Sequence, residues 1–479
     1  MNDHLDARRR WPALYILCTG VLMIVLDTTI VTVALPSIQS DLQFSAGALT
    51  WVLNAYMLTF GGFLLLGGRL GDLHGSRRLF LIGLVVFTLA SLVCGVAQSQ
   101  AALIIARAVQ GLGGAVVTAV ALSLIMTLFP EQGERAKAMG IYGFVCAAGG
   151  SIGEVLGGMV TNVLGWNWIF LINLPIGIAV YGLCVVLLPR DLPAESRPRL
   201  DIAGSLTVTL GLMLAVYAVV GGNAAGWLSA ETLGLLGAAV SLVAVFLWIE
   251  SRIEQPLVPL RLFRRRNTVM ANLLAVLWAA GMFGWFVIAA LYLQLVLGYD
   301  PLHVGLAFLP ADGIMAIFSA GLSARMVMRY GIRVPAGLGL LLAAVGLALF
   351  ARAPVAGTFP VDVLPGMLLL GLGAGMAFNP LLLAAMNDAD PEESGLASGI
   401  VNTAFMMGGA LGLAVIASLA DARTRALLDA GGEALSALND GYRLAFGAGA
   451  LLCAMAAVGA FWLRETAAAS TSLQLADPS

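Results

Sequence analysis

Long apolar runs constrain this chain more than any other feature of its sequence. They recur from one end of the 479 residues to the other, and each approaches the ~20 residues that a helix needs to cross a bilayer. Because lipid offers the backbone no hydrogen-bond partner, only helices and closed barrels cross it, and the period-2 alternation of a barrel strand is absent here. The fourteen predicted transmembrane helices are 12–36, 48–70, 79–98, 101–129, 136–163, 166–188, 203–221, 231–249, 269–297, 302–324, 334–351, 361–386, 396–420 and 443–463.

Composition excludes the main alternative classes of protein. Charged residues make up 11% of the chain and the mean hydropathy is +0.94, whereas a soluble domain carries about 25% charged residues. No nucleotide-binding loop, zinc motif or serine-hydrolase motif occurs, and the only histidines are His4, His74 and His303, at or beyond helix ends. We therefore expect an all-α polytopic membrane protein, neither an enzyme nor ATP-driven, which needs no cofactor and binds no nucleic acid.

Arginine placement predicts the orientation. With the N-terminus inside, nearly all loop arginines and the single lysine fall in inside segments, and the outside keeps only Arg352, Arg423, Arg425 and Arg443. The positive-inside rule then places both termini in the cytoplasm. One inside loop, 387–395, is acidic, but acidic residues contribute little to this rule.

Two polar breaks divide the helices into six, two and six. We predict an N-terminal six-helix bundle at 1–189, two additional helices with a cytoplasmic linker at 190–267, a C-terminal six-helix bundle at 268–465 and a disordered cytoplasmic tail at 466–479. The two bundles echo each other, because GRLGDLHGSRR follows the second helix of the first and SARMVMRYGIRV the second helix of the last. Such internal repeats are typical of transporters.

Five motifs occur in order along the chain: LDTTIVTVALP (26–36), GGRLGDLHGSRR (67–78), RAVQGLGGA (107–115), GGSIGEVLGGMV (149–160) and GWNWIFLINLPIG (165–177). Together they resemble the motifs of the fourteen-helix drug:proton antiporter branch of the major facilitator superfamily. The chain departs from the usual pattern at Thr32, Glu154 and Asn167, where the branch commonly has Asn, Pro and Arg. The resemblance implies a gating role at the loop between helices 2 and 3, for Gly68, Asp72, Gly75, Arg77 and Arg78.

Four charged residues lie inside predicted spans, where each is a functional candidate. At about 1.5 Å of rise per residue, Asp27, Arg107, Glu154 and Asp312 lie roughly 13, 9, 13 and 15 Å from the outer end of their helices, in one layer. The fold implied by the resemblance pairs Asp27 with Arg107, and Glu154 of helix 5 with Asp312 of helix 10. Purely structural roles are the alternative: a polar contact for Asp27 and a snorkelling side chain for Arg107.

We expect these four charges to couple transport to protons, and polar and aromatic residues at similar depth to bind substrate. The predicted substrate-binding residues are Asn54, Tyr56, Gln110, Trp278, Phe283, Trp285, Phe378, Asn379 and Asn402.

The resemblance implies a proton-coupled antiporter that exports drugs or other small amphipathic compounds, driven by the proton gradient. It would work as a monomer in the bacterial cytoplasmic membrane, with substrate, protons and the lipid bilayer as its partners. One alternative is a proton-linked exporter of a single endogenous metabolite, such as an antibiotic, amino acid or siderophore; a second is a membrane sensor that transports nothing.

Overall fold

The computed structural model describes residues 7–129, 131–188, 201–253, 256, 258, 261, 264–387 and 394–464. Every regular element formed by these residues is a helix, and none of them lies in a strand. The predicted tail 466–479 and the first polar break, 189–200, lie outside the described residues, as do seven residues of the second polar break, 250–267.

Seventeen α-helices account for most of the described chain. They are α1 (Ala7–Leu42), α2 (Ala46–Leu49), α3 (Trp51–His74), α4 (Ser76–Gly95), α5 (Gln100–Leu128), α6 (Gln132–Leu164), α7 (Asn167–Leu171), α8 (Asn173–Leu187), α9 (Ile202–Ala225), α10 (Ala230–Arg252), α11 (Arg266–Leu291), α12 (Pro301–Ile317), α13 (Ser323–Tyr330), α14 (Arg333–Phe350), α15 (Leu364–Asn387), α16 (Ser394–Asp429) and α17 (Ala434–Gly459).

Twelve helical segments among the described residues are long and apolar enough to cross a membrane. Two shorter apolar segments, Ile152–Leu164 at the end of α6 and Pro301–Ile317 in α12, coincide with the fifth and tenth predicted spans. The chain is thus an all-helical, multi-pass membrane protein. The count of fourteen spans and the cytoplasmic position of both termini stay predictions.

Local sequence explains where several helices begin and turn. Ser99 caps α5 by accepting a hydrogen bond from the Ala102 backbone N–H at 3.3 Å, and Ser229 caps α10 in the same way at 3.2 Å. The two echoing loops both turn at a glycine in the left-handed region: Gly75 (φ 93°) ends α3 and Gly331 (φ 73°) ends α13. Only glycine adopts this conformation without strain.

The structure divides into two compact units, each with its own core. The first unit comprises Met1–Ala218, Trp227–Leu257 and Tyr299–Leu306. Within it α3 and α4 pack against α5, and α1 packs against α6 and α8. This arrangement gathers side chains from α1, α4, α5 and α8 around one point inside the bundle.

The second unit comprises Val219–Gly226, Val258–Gly298 and Ala307–Ser479. In it α11 packs against α16 and α17, and α14 against α15 and α17. Three π-helical segments adjoin its helices: Tyr292–Val296 follows α11, Phe318–Leu322 joins α12 to α13, and Phe359–Val363 leads into α15. Such segments break the regular α-helical hydrogen-bond ladder. The sequence-based division at 189 and 267 stays a prediction.

Candidate functional site

Asp27 is the centre of a buried polar network in the first unit. Its side chain lies midway along α1, and the residue is 1% exposed. Its Oδ2 accepts a hydrogen bond from Nη1 of Arg107 at 2.5 Å. Its Oδ1 accepts two more, from Nε2 of Gln110 at 2.7 Å and Nδ2 of Asn173 at 2.9 Å. The structure therefore brings Asp27 and Arg107 together and adds two amide donors to the pair.

Arg107 of α5 is completely buried and is held from several directions. Beyond Asp27, it donates to Oε1 of Gln110 at 2.7 Å and, through Nε, to the Val52 carbonyl at 2.8 Å. Its guanidinium lies 4.3 Å from the centre of the Tyr56 ring, a cation–π distance. These contacts place Arg107 inside the bundle, so the snorkelling alternative is wrong.

The network fixes the orientation of Gln110. Arg107 donates to its Oε1, so its Nε2 faces Asp27, and the three side chains close a ring of hydrogen bonds. In a low-dielectric interior a charge is stable only when paired and hydrogen-bonded. Removing one partner of such a buried pair typically costs about 3–5 kcal/mol.

Asn173 and Ser91 belong to this network although the sequence reasoning did not select them. Ser91 Oγ accepts from Nε2 of Gln110 at 2.8 Å and from Nδ2 of Asn173 at 3.4 Å, and donates to the Phe87 carbonyl. Both residues are polar, buried and within long apolar runs, which was the available signal. Gln110, a predicted substrate-binding residue, contacts the charged pair.

The second predicted carboxyl pair is divided between the two units. Glu154 lies on α6 in the first unit, 1% exposed. The first turns of α12, which belong to the same unit, approach α6 so closely that a Cβ at Gly305 would overlap the Glu154 carbonyl oxygen. Asp312 lies farther along α12, half-buried, in the second unit. A functional pairing of the two acids stays a prediction.

The predicted gating loop forms a tight turn between α3 and α4. Gly75 makes the turn, and Arg77 Nη2 donates to the Val185 carbonyl of α8 at 2.6 Å. Arg78 is exposed, and Gly68 lies within α3. Asp72 is also in α3, but its side chain lies outside the described part of the structure.

Two predicted substrate-binding residues lie in the first unit beside the network. Tyr56 contacts Arg107, and its ring also lies 5.8 Å from that of Phe60. Asn54, two residues before Tyr56 on α3, is also fully buried. Among the described residues, the Tyr56 hydroxyl, the Asn54 side-chain amide and Nη2 of Arg107 have no hydrogen-bond partner. All three polar groups are buried in this conformation.

The remaining predicted substrate-binding residues lie in the second unit. The structure brings together Trp278, Phe283 and Phe378 around Phe405, with ring-centre distances to Phe405 of 5.3, 5.5 and 6.2 Å. Asn402 lines the same region. The half-buried Asn379 follows Phe378 on α15.

Trp285 is separate from this group. Its ring packs against Phe286, Phe308 and Phe350, at 5.9, 5.5 and 6.2 Å. It lies two helical turns from Trp278, about 10 Å along α11. The two tryptophans therefore contribute to different aromatic clusters.

Comparison with known proteins identifies the family and a similar fold. Residues 17–413 match the family model described as Major Facilitator Superfamily. The chain is 38% identical to puromycin resistance protein pur8 of Streptomyces alboniger over 452 residues, which covers 93% of this chain and 90% of the relative. It is 37% identical to the cephamycin export protein CmcT of Amycolatopsis lactamdurans over 416 residues, covering 86% and 85%.

Among solved structures, the fold is similar to that of a bacterial homologue of the human lysosomal transporter Spinster, in an inward-facing and occupied conformation. The TM-score is 0.70 and each chain is covered to 99%, at 16% sequence identity. At that identity the likeness shows the fold alone. The two sequence relatives, with the multidrug resistance protein Stp of Mycobacterium tuberculosis, are named as resistance or export proteins. The chain itself is a multi-pass protein of the bacterial cytoplasmic membrane. The chain therefore belongs to the Major Facilitator Superfamily and is a multi-pass membrane transporter, not an enzyme.

Proposed function

We propose that the chain is a proton-coupled antiporter that exports drugs or other small amphipathic compounds, cationic ones among them, by alternating access. The single observation that carries the proposal is the buried Asp27–Arg107 pair, with its amide donors. A carboxylate inside a membrane bundle is costly unless it acts or is paired. Asp27 is paired with Arg107 in this conformation. In another conformation, a proton can neutralise the Asp27 carboxylate in place of Arg107.

The proposed cycle follows from that competition. Facing outward, Asp27 takes a proton and its contact with Arg107 loosens; facing inward, it releases the proton to the cytoplasm as Arg107 returns. Substrate binds when the proton has left, so a cationic substrate gains from the charged acid. Tyr56 and Asn54, beside the pair, are proposed to contact it. Glu154 and Asp312 are proposed as a second proton-coupling pair.

Proteoliposomes with an imposed pH gradient test this function. Drug flux and proton flux would be recorded together for wild type, Asp27→Asn, Glu154→Gln and Asp312→Asn. We expect Asp27→Asn to lose proton-driven flux. The matched control is Asp41→Asn, because Asp41 is an exposed acid on the same helix that accepts a hydrogen bond from Trp166. Proton-coupled drug flux at the wild-type level in Asp27→Asn would refute the role of Asp27.

A proton-linked exporter of one endogenous metabolite is the second candidate. It is favoured by the relative named as a cephamycin export protein. Deleting the gene in its native host and measuring secreted and retained small molecules distinguishes the two. A single accumulating metabolite, with no change across a drug-susceptibility panel in an efflux-deficient host, favours this candidate.

The topology is part of the same proposal. We propose fourteen spans in a six, two and six arrangement with both termini cytoplasmic and the chain working as a monomer. The short apolar segments of α6 and α12 support the fifth and tenth predicted spans, which bring the twelve long segments to fourteen. Labelling of single cysteines placed near each terminus, with a membrane-impermeant reagent on intact cells, would test the orientation. Labelling of either terminus from outside would overturn it.

A further inference from the structure

Hydrogen bonds hold only part of the Arg107 guanidinium. Its Nε donates to the Val52 carbonyl, and its Nη1 donates to Asp27 and Gln110. Its Nη2 has no hydrogen-bond partner within the described structure, although the side chain is completely buried. Burying a charge is costly unless other groups compensate it. The contacts that cover the rest of the guanidinium therefore matter as well as its hydrogen bonds.

Two aromatic rings cover the guanidinium. Its central carbon lies 4.3 Å from the centre of the Tyr56 ring and 5.7 Å from the centre of the Phe170 ring. The electron-rich face of a ring attracts a cation within about 6 Å. Tyr56 belongs to α3 and Phe170 to α7, and both residues are buried. The attraction is therefore not weakened by competition from water.

Neighbouring residues fix the orientation of the Tyr56 ring. Phe60, one turn later on α3, lies nearly parallel to it, with 5.8 Å between the ring centres and 19° between the planes. Gly114 of α5 leaves room for the Tyr56 hydroxyl, because a Cβ at this position would lie only 3.0 Å from it. That hydroxyl has no hydrogen-bond partner among the described residues. The face of the ring is thus the part of Tyr56 that contacts a charge.

We propose that Tyr56 is a positioning residue whose ring face holds the Arg107 guanidinium against Asp27, with Phe170 as a second, more distant contact. The inference rests on the proposed export function, in which Arg107 releases and recaptures Asp27 in each cycle. A ring with a weaker hold on Arg107 would leave the guanidinium displaced when Asp27 gives up its proton. Tyr56 would thus act on proton coupling through Arg107.

Fluorination of the ring at position 56 isolates this contact. Each fluorine withdraws electrons from the ring face and weakens its attraction for a cation, while the shape of the ring changes little. Phenylalanine and its mono-, di- and trifluorinated analogues would be incorporated there in the full-length protein. The equilibrium constant of unfolding would be measured in mixed micelles without drug. We expect it to increase with each fluorine, by about fivefold in total, within the range that a buried cation–π contact contributes.

Phe60 provides the matched control. It is a buried ring on the same helix that stacks on Tyr56, and the described cation–π contacts of Arg107 are with Tyr56 and Phe170. The same analogues at position 60 should give no stepwise increase in the unfolding constant. Tyr56→Phe should be at least as stable as wild type, because it removes only a hydroxyl without a partner. No trend at position 56, or an equal trend at position 60, would overturn the proposal.

The ratio of protons to drug molecules moved distinguishes positioning from packing and from substrate contact. Proton and drug flux would be recorded together in proteoliposomes for the same series at position 56. Loss of a packing or substrate contact slows both fluxes together, whereas a displaced Arg107 disturbs their coupling. We expect the ratio to fall with each fluorine relative to Tyr56→Phe. A constant ratio across the series would overturn the positioning role.

The two measurements also separate this inference from the proposed function. Unfolding requires no proton gradient, so its trend is measurable even if wild type moves no protons with the drug. In that case the antiport proposal fails, and a stepwise trend at position 56 still supports the hold on Arg107. Conversely, proton-coupled export by wild type with no unfolding trend retains the antiport proposal and removes the role of Tyr56.

Discussion

The two units of this transporter bury different kinds of side chain. The first holds Asp27 and Arg107 in a ring of charge-assisted hydrogen bonds with Gln110. The second gathers Trp278 and Phe405 with other aromatic rings around a pocket whose lining carries no charge. Charged groups are bound by few, directional contacts, whereas apolar groups are bound by area and shape. The first unit thus compensates buried charge, whereas the second packs aromatic rings against one another.

Arg107→Ala should produce the largest effect. It leaves Asp27 Oδ2 without its cation and the Val52 carbonyl without its donor, so we expect a loss of about 3–5 kcal/mol in unfolding free energy and no transport. Arg443→Ala is the control in the second unit, because that side chain is exposed and its ion pair with Asp440 is 3.5 Å long. Unfolding in mixed micelles would measure both. Equal losses of unfolding free energy in the two variants would contradict the difference between the units.

Asn173→Leu should come next in size. It removes one of the two donors to Asp27 Oδ1 and keeps a side chain of similar size. We expect a loss of about 1–3 kcal/mol in unfolding free energy, and reduced drug flux. Ser91→Ala, which removes only the neighbouring hydroxyl, is the milder comparison. Micelle unfolding and flux in proteoliposomes would be measured on the same preparations. A normal flux in Asn173→Leu would limit the functional network to Asp27, Arg107 and Gln110.

Phe405→Leu should have a smaller effect on stability and a different functional consequence. Loss of its ring contacts should lower the unfolding free energy by about 0.5–1.5 kcal/mol. The ratio of protons to drug molecules moved should stay at the wild-type value, because Phe405 and the charged network lie in different units. Simultaneous proton and drug flux recordings provide the check. A changed proton-to-drug ratio would mean that the aromatic rings around Phe405 affect proton coupling.

The smallest expected effect is a shift in Tm on replacing Asp300, which lies just before α12 and outside the apolar spans. The His303 backbone N–H and ring donate to its carboxylate, both at 2.8 Å, and hold its pKa below the usual 3.8. A carboxyl with a lowered folded-state pKa contributes stability above its unfolded pKa, and that contribution is lost as pH falls through the folded pKa. Asp300→Asn should therefore lower Tm slightly at neutral pH and not at all well below pH 3.8. A difference that persists in acid would contradict this.

The sequence predicts more of the charged network in the first unit than of the aromatic clusters in the second. The fold implied by the family resemblance predicts the pair of Asp27 and Arg107, and their similar depth in the membrane agrees with it. Gln110 is predicted to bind substrate; it lies three residues from Arg107 on the same helix face, and its hydrogen bonds to the pair appear only in the structure. Asn173 and Ser91 were missed because a neutral polar residue in a span has many acceptable partners, and only packing identifies which one it contacts.

In the second unit, residue type alone could not separate the two aromatic clusters. Trp278 and Trp285 lie seven residues apart on one face of α11, so a helical projection superimposes them. Only the tertiary fold shows that one borders a pocket and the other packs among Phe286, Phe308 and Phe350. The fold class itself was predictable, because the lengths of apolar runs determine it.

The sequence separation within the Asp27 network also bears on how the protein is made. Arg107 lies 80 residues after Asp27 and Asn173 lies 146 residues after it. During synthesis α1 therefore enters the membrane before either partner has left the ribosome. A lone aspartate at the centre of a helix raises the cost of insertion by about 2.5–3.5 kcal/mol, which the rest of the apolar helix must offset. The first span is thus committed to the bilayer before its acid can pair with Arg107, so biogenesis constrains this position.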